Sequence, residues 1–475
     1  MSEDLLKIFS NCISITSDSR KVKAGYIFLA YPGHYQDGRN YIQDALKKGA
    51  SYIFYEPQNF ETDLHQLNFI PITNLKNQVS IIASEFYNYP SKKIEVIGVT
   101  GTNGKTTVVG WLQQALTLLN QKSAWIGTLG YGDSKKINNT LNTTPDAIVI
   151  QEIINQYVSK KYSFMAMEVS SHAIQQKRIE AVNFGAKILT NVSRDHLDYH
   201  SSLQEYQKIK KSFFASNASK FYVINADDEI GKQIIKEKNV KIISYGLRNN
   251  ADLVARNIVY DKSTTFDLIF RNKKYHVSCN FFGAHNISNL LSVITTLIGY
   301  QFNIDEIIHC VGKLKPICGR LERVFLKQAE NTNIFLDYAH TPDALEKVLL
   351  ALKETFAKKI ILVFGCGGDR DPGKRKEMGI IASKLADHII VTSDNPRSEN
   401  PAQIMLHIVS AITTPYVMIE NRSEAIKRAM QLINHDNILL IAGKGHEEYQ
   451  EIEGKKIPYS DRETVLKILK KNGTT

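Results

Sequence analysis

Ile94–Leu119 reads IEVIGVTGTNGKTTVVGWLQQALTLL, and the fold follows from the way its three parts alternate. The apolar run Ile94–Val99 predicts a buried strand, and Gly101-Thr102-Asn103-Gly104-Lys105-Thr106-Thr107 a tight turn. From Thr106 onward, Val109, Leu112, Leu116 and Leu119 recur at helical spacing. Strand, glycine turn, Gly-Lys-Thr and helix make a phosphate cradle. Backbone N–H groups face phosphate oxygens, the helix N-terminus adds partial positive charge, Lys105 reaches the outer phosphates and the Thr106 hydroxyl can bind Mg²⁺. A Cβ at either glycine would hold a nucleotide off the backbone. The pattern G-x-x-x-x-G-K-[ST] places a glycine at 99, where this chain has Val99, so the cradle is a tighter variant beginning at Gly101.

Outward from this stretch, 475 residues hold roughly two to four domains. Hydrophobic content of 43% and charged content of 23% are those of a soluble globular chain. The opening MSEDLLKIF carries two acids and no apolar run, and no stretch approaches the ~18 residues of a membrane span, so a cytoplasmic protein without membrane insertion is expected. Five scattered cysteines (Cys12, Cys279, Cys310, Cys318, Cys366) form no CxxC pair, which argues against a disulfide framework or a zinc site. The formal charge of +11 is dispersed, with short runs such as Lys208–Lys211 inside helical pattern rather than in a nucleic-acid stripe; a solvated basic surface is its commonest explanation, and binding of small polyanions the alternative.

Three domains are expected. Residues 1–92 read as a small α/β unit with strands Tyr26–Tyr31 and Ser51–Tyr55, a helix Tyr41–Lys48 stopped by Gly49, and a helix to Tyr87 capped by Asn74. Thr16–Arg20 is a polar turn or cap. Residues 93–317 alternate strands (Ser163–Val169, Ala186–Leu189, Phe221–Asn225) with helices (Leu203–Phe214, Asn286–Tyr300), implying a mostly parallel sheet. Val240–Phe281 is strand-rich and reads as an antiparallel subsheet. In residues 318–475, the compact strands Asn333–Leu336, Lys359–Phe364, His388–Thr392 and Asn437–Ile441 each run into a polar loop: Asp337–His340, Gly365–Lys374, Asp394–Pro401 and Gly443–Gln450. In a doubly wound sheet such loops gather at the carboxyl ends of the strands, where ligands bind.

Glu168 leaves a strand and His196 sits in a post-strand loop. Each alone is commonplace, but together beside a nucleotide cradle they suggest Mg²⁺ ligands. Gly101–Thr107, Glu168–His172, Asn191–His200, Gly319–Glu322, Asp337–Pro342, Asp394–Arg397 and Gly443–His446 also occur in the order and approximate spacing of the Mur ligases, which the chain resembles over essentially its whole length.

That resemblance implies a small N-terminal α/β domain, a central P-loop domain and a C-terminal Rossmann-like domain. It further implies an ATP- and Mg²⁺-dependent amide ligase working through an acyl phosphate in peptidoglycan precursor synthesis. Lys105 would neutralise the β/γ-phosphates, and Thr106, Glu168, His196 and Lys210, the last as a carbamate, would form the metal set. Asn289, Arg320 and Asp337 would contact ATP together with Gly101–Thr107. Ser17, Ser19, His34, Tyr35, Gln36, Asn142, Thr143, Thr144, Ser170, Gln176 and Arg178 match contacts to UDP-N-acetylmuramoyl-L-alanyl-D-glutamate. Arg370, Asp394, Asn395, Pro396, Arg397, Gly443 and Glu447 match contacts to an incoming meso-diaminopimelate. A fork such as Arg397 suits its far carboxylate, whereas lysine would leave the arginine desolvated and unpaired. His285, where the family often has Phe, and Asn400, where it more often has Asp, depart from the pattern. A monomer is expected. The rival readings are the same scaffold adding L-lysine, a folylpolyglutamate synthetase, a P-loop NTPase acting on nucleic acid, and a silent ATP-binding module.

Overall fold

In the computed structural model, residues 3–33, 36–60, 68–140, 142–215, 219–237, 240–261, 263–324 and 333–472 are described. The fold is α/β with parallel sheets, divided into two compact units. One comprises Met1–Gly98, Asn120–Lys187 and Ala215–Lys220; the other comprises Val99–Leu119, Ile188–Phe214 and Phe221–Thr475.

In the first unit, Ser14–Thr16, Tyr26–Ala30, Tyr52–Tyr55 and Phe69–Pro71 pair in sequence order as a parallel sheet. Side chains alternate between its faces with period two. Ile27, Leu29 and Phe54 pack with Leu75, Val79 and Ile82 of the helix Leu75–Phe86, while Phe28, Ala30 and Ile53 pack with Ile42 and Ala45 of the helix Ile42–Lys47. Asn74 does not cap the following helix as expected. It is left-handed (φ 58°) and its side chain bonds Asn77 Nδ2 instead. The buried carboxylate of Glu56 accepts from Leu75 N–H at 2.8 Å and so takes the capping role. Ser123–Gly127 lies parallel to Phe164–Glu168, and helix Ala147–Ser159 is capped by Asp146, whose Oδ1 accepts from Ile148 and Val149 N–H.

In the second unit, Phe221–Asn225, Ile242–Gly246 and Leu253–Tyr260 are parallel neighbours, and Thr264–Phe270 and Lys273–Cys279 extend them antiparallel. A six-stranded sheet has the spatial order Glu322–Arg323, Ile334–Asp337, Asn437–Ala442, Lys359–Phe364, His388–Val391, Tyr416–Met418, and only the first pairing is antiparallel. Its strands are apolar on both faces because helices cover both. Leu362, Leu440 and Ile389 pack on one side with Leu345, Met378 and Ile404, while Ile361, Leu439 and Ile390 pack on the other with Ala425 and Ile426. The chain order reverses around Asn437–Ala442, so the loops after Asp337, Phe364, Val391 and Ala442 emerge at one edge. Asn400 is accounted for here: its side chain accepts from Ala402 N–H and caps the helix Pro401–Val409, a task Asn and Asp perform equally well.

Candidate active site: a glycine cradle and a loop cluster

The cradle begins where the strand Glu95–Thr100 ends, with Val99 fully buried inside that strand, and closes into the helix Lys105–Leu118. Gly101 (φ 150°) and Gly104 (φ 86°) carry the turn. A Cβ on Gly101 would sit 1.9 Å from Thr190 Oγ1, and one on Gly104 would sit 2.3 Å from Asn289 Oδ1, so both positions exclude a side chain. The turn is held from behind: Thr102 N–H donates to Asn191 O at 2.7 Å and Thr190 Oγ1 to Asn103 O at 2.6 Å. Asn289 therefore lies against the loop.

Two lysines converge on one carbonyl. Lys105 Nζ donates to Gly101 O and Thr102 O, both at 2.8 Å, and Lys210 Nζ donates to Gly101 O at 2.8 Å. Lys210 is fully buried above the Tyr206 ring; burial first, then the Lys105 charge, push its pKa well below the usual lysine range. Burial thus favours loss of the proton here; a deprotonated amine is nucleophilic towards CO₂, and a carbamate would replace repulsion from Lys105 by attraction.

Thr106 Oγ1 accepts from Arg320 Nη2 at 3.0 Å, and the same guanidinium stacks on Tyr338 at 4.5 Å. Arg320 Nε is buried without a partner among the described residues. Asp337 accepts from Leu321 and Ala339 N–H, and burial raises its pKa to about 6 against the pull of Arg320. His196 is left-handed (φ 55°) with Nε2 3.4 Å from Asp195 Oδ2. Burial alone would raise the Asp195 pKa, but the facing His196, His340, Lys374 and Lys105 bring it to about 2. His285 is half-buried, and desolvation, with the Lys347 charge adding to it, lowers its pKa to about 4.

Side chains also tie the cradle to the six-stranded sheet. Asn103 Nδ2 and Ser193 Oγ donate to Asp343 at 2.8 and 3.3 Å, Arg194 pairs with Asp371 and Glu377, and Arg370 Nη1 lies 3.4 Å from Asp198. Around the expected acceptor residues, Asn395 Nδ2 donates to Glu447 Oε2 and Lys444 Nζ donates to both Asn395 Oδ1 and Glu447 Oε2, each at 2.9 Å. Gly443 (φ 115°) leaves no room for a Cβ, which would meet Asp394 Oδ2 at 2.5 Å. Fully buried Arg422 forks onto Asp461 at 2.8 and 2.7 Å and donates to Ala442 O, pinning the strand end beneath. Pro396 is buried. Arg397 departs from expectation: it is not unpaired without an acceptor, because Nε donates to Glu451 Oε2 at 3.0 Å and Nη1 to Gly368 O at 2.7 Å.

In the first unit, the fully buried Glu168 carboxylate accepts from Thr128 N–H and Thr128 Oγ1 at 2.8 and 3.1 Å, and Thr143 Oγ1 lies 3.1 Å from the latter hydroxyl. Thr144 Oγ1 donates to Glu168 O and accepts from Ser170 N–H. Arg178 donates to Thr144 O and, through Nε and Nη2, to Gln176 Oε1. Tyr31 links Ser17, to which it is hydrogen-bonded, to the fields of Asp146 and Arg178. These expected contacts thus share one neighbourhood. Ser19 opens a short 3-10 turn capped by Asp18; Gln36 and Asn142 are exposed, and His34 and Tyr35 lie outside the described residues.

Among the described residues no three His, Cys, Asp or Glu side chains gather as a metal site; the expected set relies instead on a hydroxyl and a modified lysine. Those donors, hard and oxygen-rich, suit Mg²⁺. Asp195, Asp343, Lys374, Lys444 and Glu451 were not singled out in the sequence. Asp195, Lys374 and Lys444 lie within the post-strand loops, while Asp343 and Glu451 reveal themselves only through what they touch.

A strand–glycine turn–helix cradle joined to a doubly wound sheet with a charged loop edge defines a P-loop nucleotide-binding protein of the α/β class. Family models agree: the Mur ligase middle domain matches residues 99–297, the Mur ligase glutamate ligase domain residues 319–445, and the Mur ligase family catalytic domain residues 13–87. The chain belongs to the Mur ligase family. It is 38% identical to the UDP-N-acetylmuramoyl-L-alanyl-D-glutamate--2,6-diaminopimelate ligase of Nitrosomonas europaea, over 96% of this chain and 92% of that one, and 38% identical to the Pseudomonas putida protein of the same name, over 99% and 98%. A solved structure of a ligase of that name superposes with a TM-score of 0.69 at 32% identity, covering 98% of this chain and 96% of that one. A MurF ligase from Thermotoga maritima in complex with ADP shares the fold (TM-score 0.69, 17% identity, 100% and 99% covered). Among the described residues no helix is long and apolar enough to cross a membrane.

Proposed function

We propose that this chain is a cytoplasmic ATP-dependent ligase that adds meso-diaminopimelate to UDP-N-acetylmuramoyl-L-alanyl-D-glutamate in peptidoglycan precursor synthesis. The observation that carries the reading is Arg397, bonded to Gly368 O and paired with Glu451, with Asn395 and Glu447 hydrogen-bonded to each other at the same loop edge of the sheet whose other loops meet the phosphate cradle. The Arg397 fork for a carboxylate and the Glu447 carboxylate for an ammonium match an acceptor end that bears both.

The chemistry follows from the groups present. A glutamyl carboxylate oxygen attacks the γ-phosphorus, the bond to ADP breaks, and an acyl phosphate forms. The acceptor amine then attacks the acyl carbon, phosphate leaves, and the amine gives up a proton. The first step brings anions together and the second builds negative charge on the acyl oxygen and the departing phosphate, so charge neutralisation and placement dominate. Lys105 and the cradle N–H groups hold the phosphates; Arg320, once released from Thr106, meets the nucleotide; Arg178 and Thr144 orient the dipeptide; Arg370, Asn395, Arg397 and Glu447 orient the acceptor. Thr106, His196 and the carbamate of Lys210 would hold Mg²⁺, which supplies charge neutralisation when bound.

Phosphate release from ATP, Mg²⁺ and the UDP-dipeptide tests this reading. Release should depend on the acceptor and run on the order of 10²-fold or more faster in kcat/KM with meso-diaminopimelate than with L-lysine. Equal values would refute the acceptor assignment.

A further inference from the structure

We propose that Glu451 is a positioning residue for acceptor choice, acting through Arg397 by compensating its charge before an acceptor arrives and so competing with the acceptor's own carboxylate for it. This rests on the reading of Arg397 as the partner of the acceptor's second carboxylate.

Backbone and side chain both tie these residues together. Arg397 N–H donates to Glu451 O at 2.9 Å and Glu453 N–H donates to Arg397 O at 2.8 Å, so Arg397 is threaded as an isolated bridge beside Ile452 of the hairpin Tyr449–Ile452/Lys455–Pro458. Glu451 N–H also donates to Asn395 Oδ1 at 3.0 Å. Arg397 is left-handed (φ 53°), a conformation that a non-glycine residue keeps only where its surroundings impose it. On the side-chain level, Glu451 Oε2 occupies the Nε corner at 3.0 Å and Gly368 O takes one Nη1 proton at 2.7 Å. The end of the fork bearing Nη1 and Nη2 is what remains for a carboxylate. Arg397 and Glu451 side chains are 20% and 28% exposed, so water screens the pair only in part.

Two consequences follow for a dicarboxylate acceptor and for lysine. The far carboxylate of a diamino dicarboxylate competes with Glu451 for one cation, so Glu451 weakens its binding. The far ammonium of lysine has no carboxylate to offer Arg397, and Glu451 attracts it. Glu451 therefore narrows the gap between the two acceptors, and neutralising it widens that gap.

The test is steady-state kinetics of Glu451→Gln, which keeps the shape and one acceptor for Nε–H, with meso-diaminopimelate and with L-lysine. KM for meso-diaminopimelate should fall about threefold to tenfold at low salt with kcat little changed. The fall should shrink as ionic strength rises, and KM for L-lysine should not fall. Glu451→Ala, also uncharged, should move KM in the same direction. A merely structural role would instead lower kcat for both acceptors alike together with the thermal midpoint. Arg397→Ala, measured alongside, separates the two failures. If it leaves KM for meso-diaminopimelate unchanged, the arginine assignment itself is wrong. If it raises that KM while both Glu451 variants leave it unchanged or raise it, only the Glu451 proposal is overturned.

Discussion

Lys210→Ala will lower turnover by on the order of 10³-fold while ATP binding persists, and small carboxylic acids will restore part of the loss. Lys210 is fully buried with its amine on Gly101 O, the same carbonyl that receives Lys105. Two ammonium groups at one oxygen repel, and burial disfavours charge on the one without water. The Lys210 pKa is accordingly pushed well below the lysine range by burial, with the Lys105 charge adding to the effect. A free amine at neutral pH can take up CO₂ and release a proton, leaving an anion where a cation is penalised. Alanine removes that anion and opens room for a carboxylate from solution, hence the expected rescue. Measurement of kcat with and without added acetate or propionate decides it; an unimpaired variant would remove the carbamate from the site.

Arg397→Ala will raise KM for meso-diaminopimelate roughly 10²-fold and leave kcat/KM for L-lysine within a few-fold of its starting value. Had the arginine been bare, a lysine acceptor would leave a desolvated cation and discrimination would be very large. With Glu451 at 3.0 Å and Gly368 O at 2.7 Å, the fork is already partly satisfied, so the penalty for the wrong acceptor is smaller. Competition between both acceptors in one reaction, resolved by mass of the product, reads the ratio directly. A KM for meso-diaminopimelate that does not move would place the carboxylate contact elsewhere.

The strands of the six-stranded sheet were legible because parallel strands covered on both sides leave unbroken apolar runs. Lys359–Phe364 was bounded to the residue, and Phe221–Asn225 likewise. Short or two-sided elements were not: Gly130–Gly132 and Ile137–Asn138 form a hairpin edge with little apolar signature. Asn74 looked like a cap because local chemistry favours it there, yet a carboxylate eighteen positions earlier, Glu56, does the work. Such long-range substitution leaves no trace in a local pattern. The cradle was plain because its glycines, lysine and threonine are contiguous. The loops of the sheet edge were plain because each follows a strand. What sequence could not supply was who pairs with whom: that Arg397 has its own counter-ion, that Asp195 is faced by His340, Lys374 and Lys105, and that Asp343 receives Asn103 from the cradle all depend on side chains brought together from far apart.

The most direct measurement of a triphosphate brought against a carboxylate is isotopic. UDP-N-acetylmuramoyl-L-alanyl-D-glutamate labelled with ¹⁸O in the reacting carboxylate, turned over with ATP and meso-diaminopimelate, should yield phosphate carrying one ¹⁸O per molecule, because the oxygen that attacked phosphorus departs with it. Phosphate free of label would contradict an acyl phosphate formed at the Gly101–Thr107 turn.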